Sequence, residues 1–427
     1  MGVNVRSAAW ETLNKCICNE QYSNIAVDTV LRRNDFSAAD KGFLTALVYG
    51  VLERRLTLDY QIGRLSSRPI DDLDIETLNL IRMGLYQLVY LDRVPDHAAV
   101  NETVALAPRK SRGFVNAILR AFLRENKRVD VPNVETDPIA YLSVRYSFSP
   151  DICEIFVRQF GMARTESLLA AFCVKPPLTL RVNTLKTTRA ELLEHFLQAG
   201  LDATETTESV VGISISGAAV TSLPGYADGR FFVQDEASQL CVEALDARAG
   251  MLVLDVCACP GSKSFGAVID MKNDGCVIAC DLHRNKLSLV LSGAERLGIS
   301  ALRTEARDAR DLRAEWIGVF DRVLCDVPCS GFGVFAKKPE LRYKDVSMSA
   351  ALPTIQRAIL ETSAQYVKVG GRLVYSTCTL LDSENGDNVT DFLNAHAEFT
   401  LVRERTLTPD EDGCDGFYFA VLERTAD

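Results

Sequence analysis

The segment FDRVLCDVPCSG, residues 320–331, carries the pattern on which both the fold and the chemistry depend. Its apolar stretch 322–325 predicts a short buried strand that ends in Asp326, a proline turn and Cys329. In a sheet of parallel strands, ligands bind outside the carboxyl ends of the strands. We therefore expect an acid and a nucleophile at the mouth of a sheet.

The sequence around this segment alternates between short apolar strands and amphipathic helices. The predicted strands are 252–256, 276–280, 302–305, 322–325 and 372–375, and the predicted helices are 237–245, 264–271, 284–297, 312–316 and 353–369. Such repeats, with helices on both faces, predict an α/β fold with a doubly wound parallel sheet. Two further strands, 399–403 and 417–422, would extend this sheet, and antiparallel pairing is open for them.

The periodicity of apolar residues and the positions of prolines divide the rest of the chain into three segments that precede the core. Residues 1–128 place apolar residues three and four positions apart, which predicts an all-helical domain. Residues 129–150 hold three prolines and no long period, so we interpret them as a linker. Residues 151–235 combine a helix over 151–172 with short strands and predict a small α+β subdomain. The core then spans residues 236–427.

The stretch 109–128 is strongly basic, with seven basic residues and one acid. A helix is predicted over 111–126, with one apolar face formed by Phe114, Ala117, Ile118, Ala121 and Phe122. The basic residues that precede this helix or lie on its other face are Arg109, Lys110, Arg112, Arg120 and Arg124. This basic face is either an ordinary solvated surface or one that follows the phosphates of a nucleic acid.

Composition and charge limit the classes of protein. No apolar run of about 18 residues occurs, and the initial MGVNVRSAAWETLNK lacks a signal core, so we expect a cytoplasmic protein with no membrane partner. We also expect a monomer, although the composition does not bear on this. The 13 cysteines show no zinc-like spacing, which predicts reduced thiols and no bound metal. The net charge is −10, but the first 130 residues carry 18 Lys and Arg against 16 Asp and Glu. A polyanionic partner must therefore meet local basic patches.

The loop DVCACPGSKS, residues 255–264, follows the first core strand and runs into a helix, where this fold meets nucleotide-like ligands. A P-loop needs an earlier glycine and the order Gly-Lys, whereas this loop has Gly261-Ser262-Lys263. The dinucleotide motif G-x-G-x-x-G is also absent. The third candidate is S-adenosylmethionine, for which no turn has to wrap a pyrophosphate.

Two acids at successive strand ends support S-adenosylmethionine. Asp281 ends the second core strand, where a carboxylate can accept hydrogen bonds from both ribose hydroxyls. Asp308 follows the third strand, where an acid can meet the adenine edge. An isolated acid at such a place is usually solvated or caps a helix, but two in succession favour one bound ligand.

Two cysteines follow strands that are neighbours in the predicted sheet: Cys329 in Asp-Val-Pro-Cys and Cys378 in Ser-Thr-Cys-Thr. One thiol at such a place is more often a packing residue, but two beside a methyl-donor site indicate chemistry. Carbon 5 of cytosine is too weak a nucleophile to take a methyl group directly. A thiolate that adds to carbon 6 converts the ring into an enamine that can do so. The residues alone leave open which thiol attacks.

These motifs resemble the RsmB-type family of RNA cytosine-5 methyltransferases. The matching pieces, in order, are RVNTLK, FVQDEAS, DVCACPGSKS, ACD, RD, DVPCSGFGV, YSTCT and GFYFAVLER. Three earlier pieces resemble the NusB-type RNA-binding helical domain: RSAAWETL, ADKGFLTALVYGVLERRLTLDYQI and RGFVNAILRAFLR. The resemblance implies a Rossmann-like methyltransferase core behind the small subdomain and a NusB-like domain. It also implies RNA as partner, in particular cytosine 967 of 16S rRNA before or during small-subunit assembly.

The resemblance further implies roles for individual residues. Cys378 would be the nucleophile, and Cys329 would help to release the adduct. Asp326 would lie between the cofactor and the base and hold the ring near nitrogen 3. The residues expected to bind S-adenosyl-L-methionine are Asp326, Asp281 at the ribose, Asp308 at the adenine end, and the loop residues Cys257, Ala258, Cys259, Pro260, Gly261, Ser262 and Lys263.

The loop departs from the family's usual Ala-Ala-Pro-Gly-Gly-Lys at Cys259 and Ser262. Both residues are small, so binding should survive, although a positive φ at position 262 would strain a serine. Lys263 or the cofactor's sulfonium could supply the positive charge that activates a thiol. Two alternatives remain open. The same chemistry could act on tRNA, another rRNA site or DNA, or the protein could bind RNA without catalysis.

Overall fold

The computed structural model describes residues 4–19, 21–217 and 219–426. The chain forms two compact units. The first contains the chain up to Val174 together with Phe335–Val346, and the second contains Lys175–Val334 and Ser347–Asp427. The bounds of the sequence-predicted domains stay a proposal.

The first unit is helical, as the sequence pattern predicts. Its α-helices are α1 (Val5–Cys18), α2 (Ser23–Arg33), α3 (Ala38–Glu53), α4 (Arg55–Leu65), α5 (Ile75–Tyr90), α6 (Asp96–Leu106), α7 (Arg112–Arg124), α8 (Pro138–Tyr146), α9 (Pro150–Phe160) and α10 (Met162–Phe172). The leucines and valines of α3 and the leucines of α5 are buried in one apolar core with Val115 and Leu119 of α7. Burial of these rows, rather than helix propensity alone, stabilises short helices of this kind.

Three details of the first unit differ from the sequence prediction. Helix α7 buries Val115, Ile118, Leu119 and Phe122, whereas the predicted face member Ala117 is exposed, because the larger side chains gain more from burial. The segment predicted as a linker contains α8, whose first turn is capped by the side chain of Asp137. The predicted helix 151–172 is divided into α9 and α10 at a glycine with positive φ.

The segment Phe335–Val346 completes the core of the first unit although it comes late in the chain. The ring of Phe335 contacts the rings of Phe148 and Phe172, each with a centroid distance of 5.0 Å. Arg342 is buried and donates hydrogen bonds to the carbonyl oxygens of Glu53, at 3.0 Å, and Phe172, at 2.8 Å.

The second unit begins with the predicted α+β subdomain. Its elements are β1 (Leu178–Val182), α11 (Arg189–Gln198), β2 (Ala203–Glu205), β3 (Gly212–Ile215) and β4 (Phe231–Val233). The strands form an antiparallel sheet in the order β2-β3-β1-β4. A capping box between Thr188 and Glu191 starts α11.

The core of the second unit is a seven-stranded sheet flanked by helices. Its elements are α12 (Glu236–Leu245), β5 (Leu252–Asp255), α13 (Ser262–Asp270), β6 (Cys276–Asp281), α14 (Leu287–Leu297), β7 (Leu302–Ala306), β8 (Phe320–Asp326), α15 (Leu352–Gln365), β9 (Val367–Thr377), α16 (Gly386–Ala395), β10 (Phe399–Leu407) and β11 (Phe417–Arg424). The strand order is β10-β11-β9-β8-β5-β6-β7. Strands β5 to β9 pair in parallel, and β10 and β11 pair antiparallel.

Alternate residues of these strands enter two separate apolar layers. Helices α12, α13 and α14 cover one face of the sheet, and α15 and α16 cover the other. The α/β, Rossmann-like fold class is thereby confirmed. No helix in the described part of the chain is long and apolar enough to cross a membrane.

The sequence prediction was wrong at two places in the core. The helix predicted over 353–369 ends at Gln365, and β9 begins at Val367, which pairs with Phe320 of β8. This pairing overrides the helical pattern, since β-branched residues fit a sheet well. The helix predicted over 312–316 is only a short 3₁₀ turn, Ala314–Trp316.

Candidate active site

The topology identifies one crevice for a ligand. Strand β5 lies between β6 and β8, so the direction of chain progression reverses there. At such a switch point, the loops that follow the two central strands separate and leave a binding crevice at their carboxyl ends. The loop after β5 contains residues 256–261, and the turn after β8 contains Cys329.

The two cysteines lie against each other. The Sγ atoms of Cys329 and Cys378 are 3.2 Å apart, and both residues are half-buried. The next residues are also joined, because the hydroxyls of Ser330 and Thr379 are 2.8 Å apart. The hydrogen bond with Cys378, burial, and the charges of Cys378 and Glu384 raise the pKa of Cys329 well above its ordinary value. The two thiols therefore form one coupled pair with a shared hydrogen bond.

A half-buried lysine and a half-buried aspartate lie beside this pair. Lys263 Nζ donates to Asp326 Oδ2 at 2.7 Å, and the Ser376 hydroxyl donates to Asp326 Oδ1 at 2.8 Å. Burial alone would lower the pKa of Lys263, but the charges of Asp326, Cys241 and Cys378 raise it above its usual value. Lys263 therefore keeps a positive charge within electrostatic reach of Cys378. Asp326 is held at the end of β8 by bonds from two other elements.

The loop after β5 is tightly folded. Ala258 N–H donates to the Cys280 carbonyl oxygen at 2.7 Å, and Gly261 N–H donates to the Ala258 carbonyl oxygen at 2.7 Å. Gly261 has φ +111°, and a Cβ there would lie 2.7 Å from the ring of Phe265. The positive φ therefore falls on Gly261, and Ser262 is the first residue of α13 without such strain. The Cys259–Pro260 peptide bond is cis.

Asp255 is a buried acid that the sequence analysis did not single out. It is 1% exposed, and the Ser264 hydroxyl donates to its Oδ2 at 2.6 Å. Its Oδ1 has no hydrogen-bond partner among the described residues. Burial is the main cause that raises the pKa of Asp255 to about 7. Its position at the carboxyl end of β5 is the sequence signal that marks it.

The two predicted nucleoside acids differ in their surroundings. Asp281 Oδ1 accepts the His283 N–H at 2.8 Å, and burial followed by the Asp281 charge raises the pKa of Cys259 to about 12. Asp308 is already paired, since Arg310 Nη2 lies 2.6 Å from its Oδ2. This pairing lowers the pKa of Asp308 to about 2.

These features fit a nucleoside-containing cofactor with a charged amino-acid part. The crevice offers the unpartnered Oδ1 of Asp255, the side-chain-free surface of Gly261 and the carboxylate of Asp281 at the end of the next strand. The amino end of α13 adds backbone N–H groups for a carboxylate. No group of three or more metal-ligating side chains occurs among the described residues.

A polar network that the sequence analysis missed lies behind Cys329. Glu384 is 1% exposed, and its Oε2 accepts Ser330 N–H at 2.9 Å and Gln356 Nε2 at 2.7 Å. Gln356 Nε2 also donates to the Pro328 carbonyl oxygen at 3.0 Å. Nothing local in the sequence marks Glu384, because its partners come from elements far away in the chain.

The predicted RNA-binding residues belong to the first unit, whereas the other predicted site residues belong to the second. All of the former are exposed: Arg109, Lys110, Arg112, Arg120 and Arg124. Arg112 donates to the Ala107 carbonyl oxygen at 3.2 Å, and Arg120 donates to Asn116 Oδ1 at 2.9 Å. Over the part of the chain that the structure covers, none of the five forms a salt bridge.

Comparisons with solved structures support the fold. The crystal structure of PH0851 matches with a TM-score of 0.81 at 24% identity and covers 99% of this chain and 100% of that one. NSun6 from Pyrococcus horikoshii, solved with SFG, matches with a TM-score of 0.59 at 19% identity, over 64% of this chain and 97% of that one. At these identities, the likeness concerns the fold alone.

Comparisons with protein sequences define the family. Residues 242–423 match the 16S rRNA methyltransferase RsmB/F family, residues 3–124 match the NusB family, and residues 152–221 match the RsmF/B-like ferredoxin-like domain. The probable ribosomal RNA small subunit methyltransferase B of Bacillus subtilis (strain 168) is 36% identical, with 99% of both chains covered. The ribosomal RNA small subunit methyltransferase B of Serratia proteamaculans is 32% identical, with 98% of both covered. This chain therefore belongs to the 16S rRNA methyltransferase RsmB/F family.

Proposed function

We propose that this RNA methyltransferase transfers a methyl group from S-adenosyl-L-methionine to carbon 5 of a cytosine in RNA, through a covalent bond between Cys378 and carbon 6. The observation that carries the proposal is the pair of half-buried thiols, 3.2 Å apart, at the ends of two neighbouring strands. Methylation of an amino group or a hydroxyl needs no thiol. Activation of a pyrimidine carbon needs one.

The chain's own residues account for each step. Lys263 favours the thiolate of Cys378, which attacks carbon 6 and makes carbon 5 nucleophilic. Asp326 holds the ring near nitrogen 3 while carbon 5 takes the methyl group. The carbon 5 proton then leaves to water, the bond between carbon 6 and sulfur breaks, and the Cys378 thiolate is restored. Cys329 assists this last step through its contact with Cys378.

The cofactor supplies an electrophilic methyl group on a sulfonium. The loop residues 257–263 would hold its methionine part, Asp281 its ribose and Asp308 its adenine end. The structural relative solved with SFG, an analogue of S-adenosylmethionine, supports this choice. The free Oδ1 of Asp255 and the bare surface of Gly261 are consistent with a ligand at this place.

The proposed substrate is 16S rRNA, at the cytosine that the family resemblance implies, before or during small-subunit assembly in the cytoplasm. Support comes from the names of the relatives and from the match to the NusB family. The exposed basic face at 109–124 would contact RNA phosphates, because paired anions are absent from it within the described residues. We propose that the protein acts as a monomer.

The test uses the full-length protein, tritiated S-adenosyl-L-methionine and three separate RNAs: 16S rRNA free of ribosomal proteins, assembled small subunits, and tRNA. We expect label in 5-methylcytidine of the free 16S rRNA. Label in tRNA alone would move the activity to another RNA, and absence of label would favour a non-catalytic RNA-binding protein. Bisulfite mapping of rRNA from a deletion strain then identifies the nucleotide.

A further inference from the structure

The turn that carries Cys329 is held from behind by one buried carboxylate. Glu384 Oε2 accepts the N–H of Ser330, the residue after Cys329, at 2.9 Å. Gln356 bridges the same oxygen, at 2.7 Å, to the carbonyl oxygen of Pro328, the residue before Cys329, at 3.0 Å. Both peptide groups that flank the thiol are thus fixed by the Glu384–Gln356 pair.

The carboxylate is itself locked in place. Asn388 Nδ2 donates to Gln356 Oε1 at 3.0 Å and so orients the bridging amide. The Tyr375 hydroxyl donates to the backbone carbonyl oxygen of Glu384 at 2.6 Å. Glu384 Oε1 is buried without a hydrogen-bond partner among the described residues. A buried carboxylate oxygen that no donor neutralises projects its negative charge onto its surroundings, since the local dielectric is low.

The charges around the two sulfurs are therefore unequal. Cys329 lies within electrostatic reach of Cys378, the carboxylate of Glu384 and Tyr375. Cys378 lies within electrostatic reach of the cation Lys263, which is itself paired with Asp326 at 2.7 Å. A carboxylate disfavours a thiolate nearby, and an ammonium favours one. The hydrogen bond between the sulfurs, 3.2 Å long, holds a single proton between these opposite fields.

We infer that Glu384 is a positioning residue that keeps the shared proton on Cys329, so that Cys329 acts as a neutral thiol and donates a hydrogen bond to the sulfur of Cys378. This inference rests on the proposed function and assigns the two thiols different protonation states. During adduct breakdown, the carbon 5 proton passes to water and the electrons of the carbon 6–sulfur bond return to Cys378. The S–H of Cys329 stabilises that leaving thiolate and is not consumed.

The first experiment needs no RNA and measures the pre-reduced, full-length protein. Alkylation of Cys329 and Cys378 by iodoacetamide is followed by mass spectrometry as a function of pH, and the pH midpoint reports the ionisation of each thiol separately from its accessibility. In the wild type, Cys378 should ionise at the lower pH. Glu384→Gln, which keeps the shape and removes the charge, should lower the midpoint of Cys329 by about half a unit to one unit.

The matched control is Asp387→Asn, which removes an exposed carboxylate three residues further on and should leave both midpoints unchanged. The inference is overturned if Glu384→Gln leaves the Cys329 midpoint where it was. It is also overturned if both midpoints fall equally, as a general loosening of the turn would produce. Because no RNA is present, these outcomes do not depend on whether the protein methylates RNA.

A second experiment leaves Glu384 intact. It tests whether Cys329 acts as a neutral hydrogen-bond donor, even if the glutamine variant fails to fold. Serine can donate a hydrogen bond but is not ionised at neutral pH. Release of the RNA adduct should therefore be at least about tenfold faster in Cys329→Ser than in Cys329→Ala. Equal release in the two variants would mean that Cys329 acts as a thiolate base, against the inference. No adduct in either variant would instead contradict the proposed function.

Discussion

The turn around Cys329 and the surface of helix α7 use charge in opposite ways. Around Cys329, the charged groups are buried or half-buried and each is bonded to a partner, as Lys263 is to Asp326 at 2.7 Å. On α7, Arg112, Arg120 and Arg124 are exposed and form no salt bridge within the described residues. Buried charges must be compensated because their desolvation is costly, and they interact strongly with reacting groups. Exposed charges are screened by salt within about 8 Å.

The two regions should therefore respond differently to substitution. Substitutions at the buried turn should change rates, covalent intermediates and thiol ionisation, with little change in the salt dependence of RNA binding. Substitutions on α7 should change affinity and its salt dependence, with little change in the chemistry once RNA is bound. A variant of one region that shows the signature of the other would break the distinction.

The largest effect is expected for Cys378. Cys378→Ala removes the proposed nucleophile and should reduce methyl transfer by about 10³-fold or more. It should form no covalent RNA adduct, whereas Cys329→Ala should accumulate one, because release is slowed. Denaturing electrophoresis of protein mixed with 16S rRNA and cofactor distinguishes the two. An adduct with Cys378→Ala but none with Cys329→Ala would reverse the two roles.

The next largest effect concerns the half-buried ion pair of Lys263 and Asp326. Lys263→Met leaves Asp326 half-buried without its cation and should lower the free energy of unfolding by about 2 kcal/mol. Because the folded-state pKa of Lys263 is raised, its stabilisation is fully present below the unfolded-state pKa and is lost only as the pH rises through the folded-state value. Urea unfolding should therefore show the same loss at about pH 6 and pH 9.

Two further measurements complete the lysine prediction. Lys175→Met, at an exposed position of the same unit, is the control and should change the unfolding free energy little. In Lys263→Met, the pH–rate profile of methyl transfer should shift toward higher pH, because the thiolate loses a neighbouring cation. An unchanged profile would remove Lys263 from thiol activation.

A smaller effect is expected on α7. Reversing Arg112, Arg120 and Arg124 to Glu should weaken RNA binding about tenfold and reduce the salt slope by about 2, because about three phosphate contacts are lost. The matched control is a set of exposed basic residues on α2 and α3 in the same unit, with the same change of charge: Arg32, Arg33 and Lys41 to Glu. Filter binding over a salt series measures both. Equal losses in the two triple variants would indicate nonspecific attraction rather than a binding face.

The smallest effect is expected at the Asp308–Arg310 pair. Arg310→Gln should lower the free energy of unfolding only slightly at about pH 6, as is usual for a largely solvated pair. The folded-state pKa of Asp308 is depressed, to about 2, so this contribution is present above the unfolded-state pKa and is lost as the pH falls through the folded-state value. Urea unfolding of the variant and the wild type should therefore converge toward low pH. A constant difference at all pH values would exclude the charge of Asp308 as its cause.

The sequence predicts which residues lie at the crevice better than it predicts the polar network that holds the Cys329 turn in place. Apolar runs located β5, β6 and β8, and residues that follow such strands must share one edge of a parallel sheet. That argument is local and needs only the period of the side chains. It suffices to predict that Asp326, Cys329 and Cys378 lie near one another.

The parts that could not be predicted depend on pairings across long stretches of chain. Glu384 has the sequence surroundings of an ordinary acid in a polar turn, and its burial is tolerable because the N–H of Ser330, 54 residues earlier, and the side chain of Gln356 donate to it. In the same way, the segment after Gln365 has a helical pattern, but it forms the start of β9 because it pairs with β8. On α7, Val115 and Leu119 are buried and Ala117 is not, because larger apolar side chains gain more from burial than alanine does.

The late position of the segment Phe335–Val346 in the chain affects how the protein folds during its synthesis. When a ribosome has made the chain as far as Val174, the first unit still lacks Phe335 and Arg342. The hydrogen bond from Arg342 to the carbonyl oxygen of Glu53, 289 residues earlier, cannot form yet. At about 5–20 residues per second, the wait lasts roughly 10–30 s. Through that interval we expect the ring of Phe148 to lack its contact with Phe335, and exposed apolar surface of this kind is prone to aggregation. Because the first unit is built from two separate segments of the chain, cutting the chain at one point would not separate the two units intact.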